Sequence, residues 1–251
     1  MSVSAISAAN PLRLAMWSGP RNISTAMLRA WGNRDDTVVC DEPLYAHYLL
    51  KSRRPHPMAA EVIASQENDW RKVVAWLTGP LPQGKSVFYQ KHMSHHLLPE
   101  IERDWLLRVT NVFLIRHPRE VLPSLDEKFE RPDLPDAGYM QQVEIFDFVR
   151  AQTGRMCPVI DARDIRTNPR GVLDRLCGEL GVPFQEQMLE WQPGLRETDG
   201  VWAKHWYNAV ATSTGFEPYV PREKPLTDRV RGLLDQCLPF YEKLHAHRLL
   251  A

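Results

Sequence analysis

The chain has 251 residues, 43% hydrophobic and 25% charged, enough for one well-buried globular domain carrying insertions. Lysine plus arginine and aspartate plus glutamate stand at 31 each, so no global field draws in nucleic acid or an anionic membrane, and any anion site has to be local. No apolar run approaches the roughly 18–20 residues of a membrane-spanning helix, and "MSVSAISAANP" lacks the basic start and long apolar stretch of a signal peptide.

In chain order, "LRLAMWS" (12–18) reads as a buried strand, followed by a turn and a helix over about 23–33. "TVVCDEP" (37–43) is a second strand, stopped by Pro43, and "AAEVIASQENDWRKVVAWL" (59–77) has helical spacing. "SVFYQKH" (86–92) and "NVFLIRHP" (111–118) are the third and fourth strands. A helix over 137–154 ends at Gly154, a C-cap, before a fifth strand in "CPVIDARDI" (157–165). "NPRGVLDRLCGELGVPF" is a helix stopped at Gly181, and a last helix covers about 226–247 with Thr227 as N-cap.

Near-continuous apolar strands alternating with helices predict a doubly wound α/β domain around a mainly parallel five-stranded sheet. The whole chain, 1–251, is expected to be one such domain, with helical insertions at 44–80 and 128–156. The Pro- and Trp-rich segment 193–225 is expected to be an irregular covering loop. Cys40, Cys157, Cys177 and Cys237 lie far apart among apolar neighbours with no C-x-x-C pair, which points to buried free thiols in a reducing cytoplasm.

The chemistry starts in "SGPRNIST". A turn between a strand and a helix presents free backbone N–H groups at the positive end of the helix dipole, a ready anion site. Gly19, Pro20, Arg21, Asn22, Ile23, Ser24 and Thr25 fill it; Arg21 adds a guanidinium fork, and the hydroxyls add donors or serve as plain N-caps. A triphosphatase loop, G-x-x-x-x-G-K-[ST], would place glycine and lysine where Ile23 and Ser24 stand. The fourth strand ends in Arg116, which repels magnesium and attracts a second phosphate. "VVCDEP" does end in Asp41 and Glu42, so a P-loop kinase or nucleotide hydrolase using Asp41 remains an alternative.

Two stretches together resemble the sulfotransferases that use 3′-phosphoadenosine-5′-phosphosulfate (PAPS). "GPRNISTAML" is similar to their 5′-phosphosulfate loop, with Arg21 at the basic position and Ser24-Thr25 at the hydroxyl pair. "VFLIRHPREVLPSL" resembles their 3′-phosphate motif, an arginine ending a strand and a serine eight residues later, here Arg116 and Ser124. "VFYQKHMSHHLLPE" resembles the third-strand segment that bears a catalytic histidine; anchoring on Leu97-Leu98-Pro99 places His92 there, with Lys91 just before it. "VIDARDI…LGVPF" resembles a later stretch of the family, so the likeness covers roughly residues 12–190. Asn22-Ile23 replaces the family's Ser-Gly. Isoleucine resists the left-handed backbone that glycine permits, so this pair is where a departure is expected.

The resemblance implies a P-loop-type fold and a sulfotransferase acting on a hydroxyl or amine of a small-molecule acceptor, with PAPS or its product PAP as co-substrate and no metal. Arg21, Ser24 and Thr25 would hold the 5′-phosphosulfate and stabilise the leaving group. Arg116 and Ser124 would hold the 3′-phosphate, with Arg222 in "YVPREKP" the nearest substitute for the family's C-terminal basic loop. The first choice of base is His92 and the second Glu42. His92, His95 and His96 form a His-x-x-His-His run without the framework of a metal site. Trp202, Trp206 and Tyr207 are read as packing anchors or as the wall of an acceptor pocket. A catalytically inert, sulfotransferase-like binding protein is the non-enzyme alternative.

Overall fold

The computed structural model describes residues 11–82, 84–221 and 224–251. Five parallel strands form one sheet in the order β2-β3-β1-β4-β5: β1 (Leu12–Ser18), β2 (Thr37–Asp41), β3 (Val87–Met93), β4 (Thr110–Ile115) and β5 (Val159–Asp161). The helices are α1 (Ser24–Gly32), α2 (Tyr45–Ser52), α3 (Ala59–Ser65), α4 (Trp70–Leu77), α5 (Pro118–Asp126) and α6 (Leu134–Ala137). After them come α7 (Tyr139–Thr153), α8 (Ala162–Thr167), α9 (Pro169–Leu180), α10 (Ala203–Trp206), α11 (Asn208–Ala211) and α12 (Asp228–His245). None of the described helices is long and apolar enough to cross a membrane.

Strand periodicity sorts the core into two layers. On β1, Leu14 and Met16 face a cluster with Met27, Leu28 and Trp31 of α1 and Leu173 and Leu176 of α9. Ala15 and Trp17 face the opposite cluster, with Leu122 and Leu125 of α5, Phe146 of α7 and Leu233 of α12. The helix after β1 and the helix after the adjacent β4 therefore cover opposite faces of the sheet. Their connecting loops part above the strand ends and leave a crevice between them. Buried side-chain bonds hold this point: Gln142 donates to the carbonyls of Trp17 (3.1 Å) and Leu114 (3.0 Å), and the Trp17 indole donates to Asn111 (2.9 Å).

Several expected boundaries change. The helix expected over 59–77 is two, because Gln66 leaves helical geometry and Asp69 starts α4 by accepting from the Arg71 N–H. The 137–154 helix begins only after Gly138, which is left-handed at φ 78°, and ends as expected at Gly154. The fifth strand is only Val159–Asp161, because Asp161 accepts from the Arg163 N–H and so caps α8. Thr227 is the N-cap residue of α12, but its hydroxyl donates to Asp126 instead of capping. All four cysteines are buried and free.

The segment over 193–221 carries the short helices α10 and α11 between irregular stretches, and its residues line the crevice. Trp202 and Tyr207 are buried against Tyr45 and Tyr48 of α2 and Val62 of α3. A buried, bidentate ion pair from Arg29 of α1 to Asp199 (2.6 Å for both bonds) pins its start. Removing one partner of such a pair leaves a charge buried and unmatched. Asp199→Ala should therefore lose about 3–5 kcal/mol, read as a lower urea midpoint, and Arg29→Met in the same chain should recover much of the loss.

Candidate active site

A cavity of about 590 Å³ lies over the carboxyl ends of β1, β3 and β4. Its floor is the loop from Pro20 to Thr25. Gly19 precedes it because a Cβ there would stand 2.5 Å from the carbonyl oxygen of Ala137. Asn22 anchors the loop by donating to the carbonyl of Leu114 on β4 (3.2 Å). Arg21 (φ 61°) and Ile23 (φ 54°) are both left-handed, the alternating pattern that folds backbone into anion-binding concavities. Ile23 departs from glycine in sequence, yet it takes the glycine-like conformation; its half-buried side chain packs on the α1 side of the sheet and helps hold a geometry that costs about 1–2 kcal/mol.

The loop's cations converge with those of α5. Arg21 Nε donates to Ser124 Oγ (2.9 Å), and Arg116 donates to the Arg21 carbonyl (2.9 Å) and to Glu120 (3.0 Å). Arg116 follows β4, and its carbonyl accepts from the buried Tyr139 hydroxyl (2.8 Å). His117 caps α5 by accepting the Arg119 N–H on Nδ1, and Pro118 opens the helix. Burial and the neighbouring Arg116 charge both lower the Arg21 pKa, with Glu127 opposing them. An anion set between the two guanidinium groups relieves both effects. Thus Pro20–Thr25, Arg116 and Ser124, far apart in sequence, all line one cavity. Arg222 lies outside the described residues.

The opposite end is built on β2 and β3. Lys91 is buried and donates to Asp41 (2.7 Å), Glu42 (2.6 Å) and the Tyr207 hydroxyl (2.7 Å). Its three donors are all used. Burial opposes the Lys91 charge, but Asp41 and Glu42 outweigh it and raise its pKa well above the usual value, so Lys91 is a fixed cation and not a base. Asp41 accepts from Lys91 on one oxygen and from Tyr207 (2.6 Å) on the other, and it does not line the cavity where a nucleotide would have to meet it. Glu42 does line it, held at φ 44° just past the strand. Burial, with Asp41 adding to it and Lys91 opposing, raises the Glu42 pKa.

His92 is corrected by geometry. Val87, Tyr89 and Lys91 share one face of β3, and Phe88, Gln90 and His92 the other, because strand side chains alternate. His92 is stacked on Trp17 at 4.4 Å inside the core and does not line the cavity. Burial, then Lys91, lowers its pKa to about 3. Four other histidines do line the cavity, His56, His95, His96 and His205, two of them in the 3₁₀ turn Ser94–His96 just after the strand. Parity along 87–93 was the available signal, and the match on Leu97-Leu98-Pro99 overrode it. Trp202 is a packing anchor, as the aromatic reading allowed, whereas Trp206 and Tyr207 line the cavity. Among the described residues no three His, Cys, Asp or Glu side chains are grouped to hold a metal ion.

A family model described as "Sulfotransferase domain" matches residues 12–248. The chain belongs to this sulfotransferase domain family. Two Arabidopsis thaliana proteins, branched-chain-amino-acid aminotransferase-like proteins 2 and 1, are 35% and 36% identical to it. The matches cover 92% and 95% of this chain but 41% and 42% of theirs, so the chain spans less than half the length of these curated relatives. The solved sulfotransferase from Alicyclobacillus acidocaldarius superposes with a TM-score of 0.54 at 13% identity, covering 95% of this chain and 97% of that one. That likeness supports a sulfotransferase-type α/β fold.

The sulfotransferase cavity also contains histidines held neutral. Burial lowers His56 to about 4, aided by Arg54, and His95 to about 3, aided by His56; His96 falls well below its usual value for the same main reason. The unfolded chain binds a proton at each near pH 6.5, whereas the folded chain does not until about pH 4 or below. Stability should therefore fall as pH drops from about 6.5 to about 4, by about 1.4 kcal/mol per pH unit for each such histidine. Urea midpoints at about pH 7 and pH 5 check this, and His92→Phe should flatten the dependence. Equal midpoints at the two pH values would contradict the burial of neutral imidazoles.

Proposed function

We propose that this sulfotransferase domain moves a sulfuryl group from PAPS to a hydroxyl or amine of a small-molecule acceptor. The observation that carries the reading is the meeting of Arg21, Arg116 and Ser124 beside an anion-binding loop, across one cavity from a carboxylate with a raised pKa. The two Arabidopsis relatives bear aminotransferase-like names on chains more than twice this length. The activity proposed here rests instead on the family match and the cavity.

In this reading Arg21, Ser24, Thr25 and the first N–H groups of α1 hold the 5′-phosphosulfate, and Arg116 and Ser124 hold the 3′-phosphate that distinguishes PAPS from ATP. Glu42 takes the proton of the acceptor hydroxyl as its oxygen bonds to sulfur. The bond between sulfur and the phosphate oxygen breaks, and its electron pair leaves with that oxygen, where Arg21 and the helix terminus neutralise the developing charge. Protonation of Glu42 turns the Asp41–Glu42–Lys91 cluster from one net negative charge to neutral, which favours proton uptake in a buried place. No metal ion takes part in these steps.

PAP should raise the melting temperature without magnesium, and more than ADP or ATP does. Arg116→Ala should weaken PAP by roughly tenfold to a hundredfold, the worth of a charge-assisted hydrogen bond pair. Equal shifts with all three nucleotides, or no effect of Arg116→Ala, would falsify the 3′-phosphate site. Glu42→Gln should lower kcat by about 10²–10⁴ while PAP binding persists. In the wild type kcat/KM should fall as pH drops through the Glu42 pKa, placing the acid limb above the ordinary glutamate value of about 4.3. PAP binding without turnover across acceptors of many classes would favour the inert binding protein instead.

A further inference from the structure

The cavity has two halves of opposite charge. Beside the loop and α5 stand Arg21, Arg116 and Arg119. Toward α2 and α6 the arrangement reverses: two pairs of carboxylates each share a single cation. Asp41 and Glu42 share Lys91, at 2.7 and 2.6 Å. Asp133 and Asp136 share Arg54, at 2.7 and 3.2 Å. Each group carries one excess negative charge, and Glu42 and Asp136 are the members that line the cavity. Lys128, exposed at the rim with its Nζ 5.9 Å over the Trp206 ring, offsets part of this charge; the half stays negative when it is counted.

The surface between the two carboxylates is aromatic. Tyr45 donates to or accepts from His56 (2.9 Å), His56 meets Phe129 edge-on at 5.2 Å, and Phe129 stacks with Trp206 at 6.1 Å. All four line the cavity. A second observation is independent of the acidic groups. His95 lines the same half, is only 9% exposed, and its Nδ1 has no hydrogen-bond partner. That nitrogen is buried beside Gly138, 3.7 Å from where a Cβ on the glycine would stand. It is one of several buried polar atoms without a partner, and in a cavity wall the polar group of a ligand is one way to satisfy it.

We infer that this half receives an organic cation: an acceptor whose ammonium group sits near Asp136 among the rings while its hydroxyl reaches Glu42. The inference rests on the sulfotransferase reading for the transfer itself. There the hydroxyl oxygen forms the new bond to sulfur, its proton passes to Glu42, and the electrons of the broken bond leave with the donor phosphate. Excess carboxylate charge attracts the ammonium and repels an acid, while aromatic faces favour a cation over its neutral isostere. His95 accepts or donates one further hydrogen bond.

Three probes of one skeleton test the charge: tyramine, neutral 4-ethylphenol, and anionic 3-(4-hydroxyphenyl)propanoate. Binding is followed by tryptophan fluorescence and calorimetry on the full chain, with and without PAP. Tyramine should bind at least roughly tenfold tighter than 4-ethylphenol, the propanoate weakest of all, and the advantage should shrink as salt is added. Asp136→Asn should remove most of the advantage. Because Asp136 also closes the turn before α6, Trp206→Leu on the opposite wall provides a second variant expected to reduce the same preference. Equal or tighter binding of 4-ethylphenol, strongest binding of the propanoate, no binding of any probe at millimolar concentration, or an unchanged preference in folded variants overturns the inference. Binding is read without turnover, so failure of PAP to stabilise the protein sinks the donor reading alone. PAP binding without a preference for the cation sinks only this proposal.

Discussion

Lys91 is the group around which the β2–β3 end of the cavity is assembled. A lysine ammonium removed from water is tolerated only when its charge and its donors are matched. Here the match comes from three places in the chain: Asp41 at the end of β2, Glu42 just beyond it, and Tyr207 from the covering segment. None of the three alone satisfies the ammonium. The cluster is complete only when the sheet edge is formed and the segment is in place, so burial of one charge ties Glu42, the sheet and the cover together. The Trp202 indole adds a bond to the same Tyr207 hydroxyl (3.2 Å) and makes the cover part of the polar core.

The donor end follows a different logic. There the structure gathers like charges rather than matching them. The Arg116 charge bears on Arg21, Glu127 opposes it, and Arg116 itself pairs with Glu120. Two left-handed residues turn the backbone of the loop, and a glycine lets α6 come within contact distance behind it. An unfavourable concentration of positive charge and backbone strain in a cavity wall is the arrangement expected where a polyanion supplies the missing charge. The two ends are brought face to face by topology: helices leave β1 and β4 toward opposite sides of the sheet, and the crevice opens between them.

Much of this was legible in the residues themselves. The apolar runs named all five strands, and β1 matched its expected limits of 12–18. The loop and Arg116 were legible from local chemistry, a hydroxyl-rich strand–helix turn and an arginine at a strand end, whereas Ser124 came from the likeness of its stretch to the family's motif. Gly154 and Gly181 ended helices as read, because a left-handed C-cap is a local property of glycine. The break at Gln66 and the short β5 were less legible, since their caps, Asp69 and Asp161, compete with apolar periodicity that runs on past them.

By itself the sequence determined the alternation of strands and helices, the buried thiols and the strand–turn–helix that carries Arg21, because each depends on neighbours a few residues apart. Tertiary structure decided that His92 lies in the core away from the cavity, that Lys91 is a saturated cation and not a free donor, and that Ile23 accepts a backbone that isoleucine disfavours. It also decided that Tyr207, from a segment with no regular periodicity, joins the Asp41–Glu42–Lys91 cluster. These outcomes hang on contacts across 50 to 166 residues, such as Lys91 to Asp41 and Tyr207 to Asp41. A local pattern carries no record of such a partner. Only the closed fold sets the burial and field that raise the Glu42 pKa and bury His92 in the core.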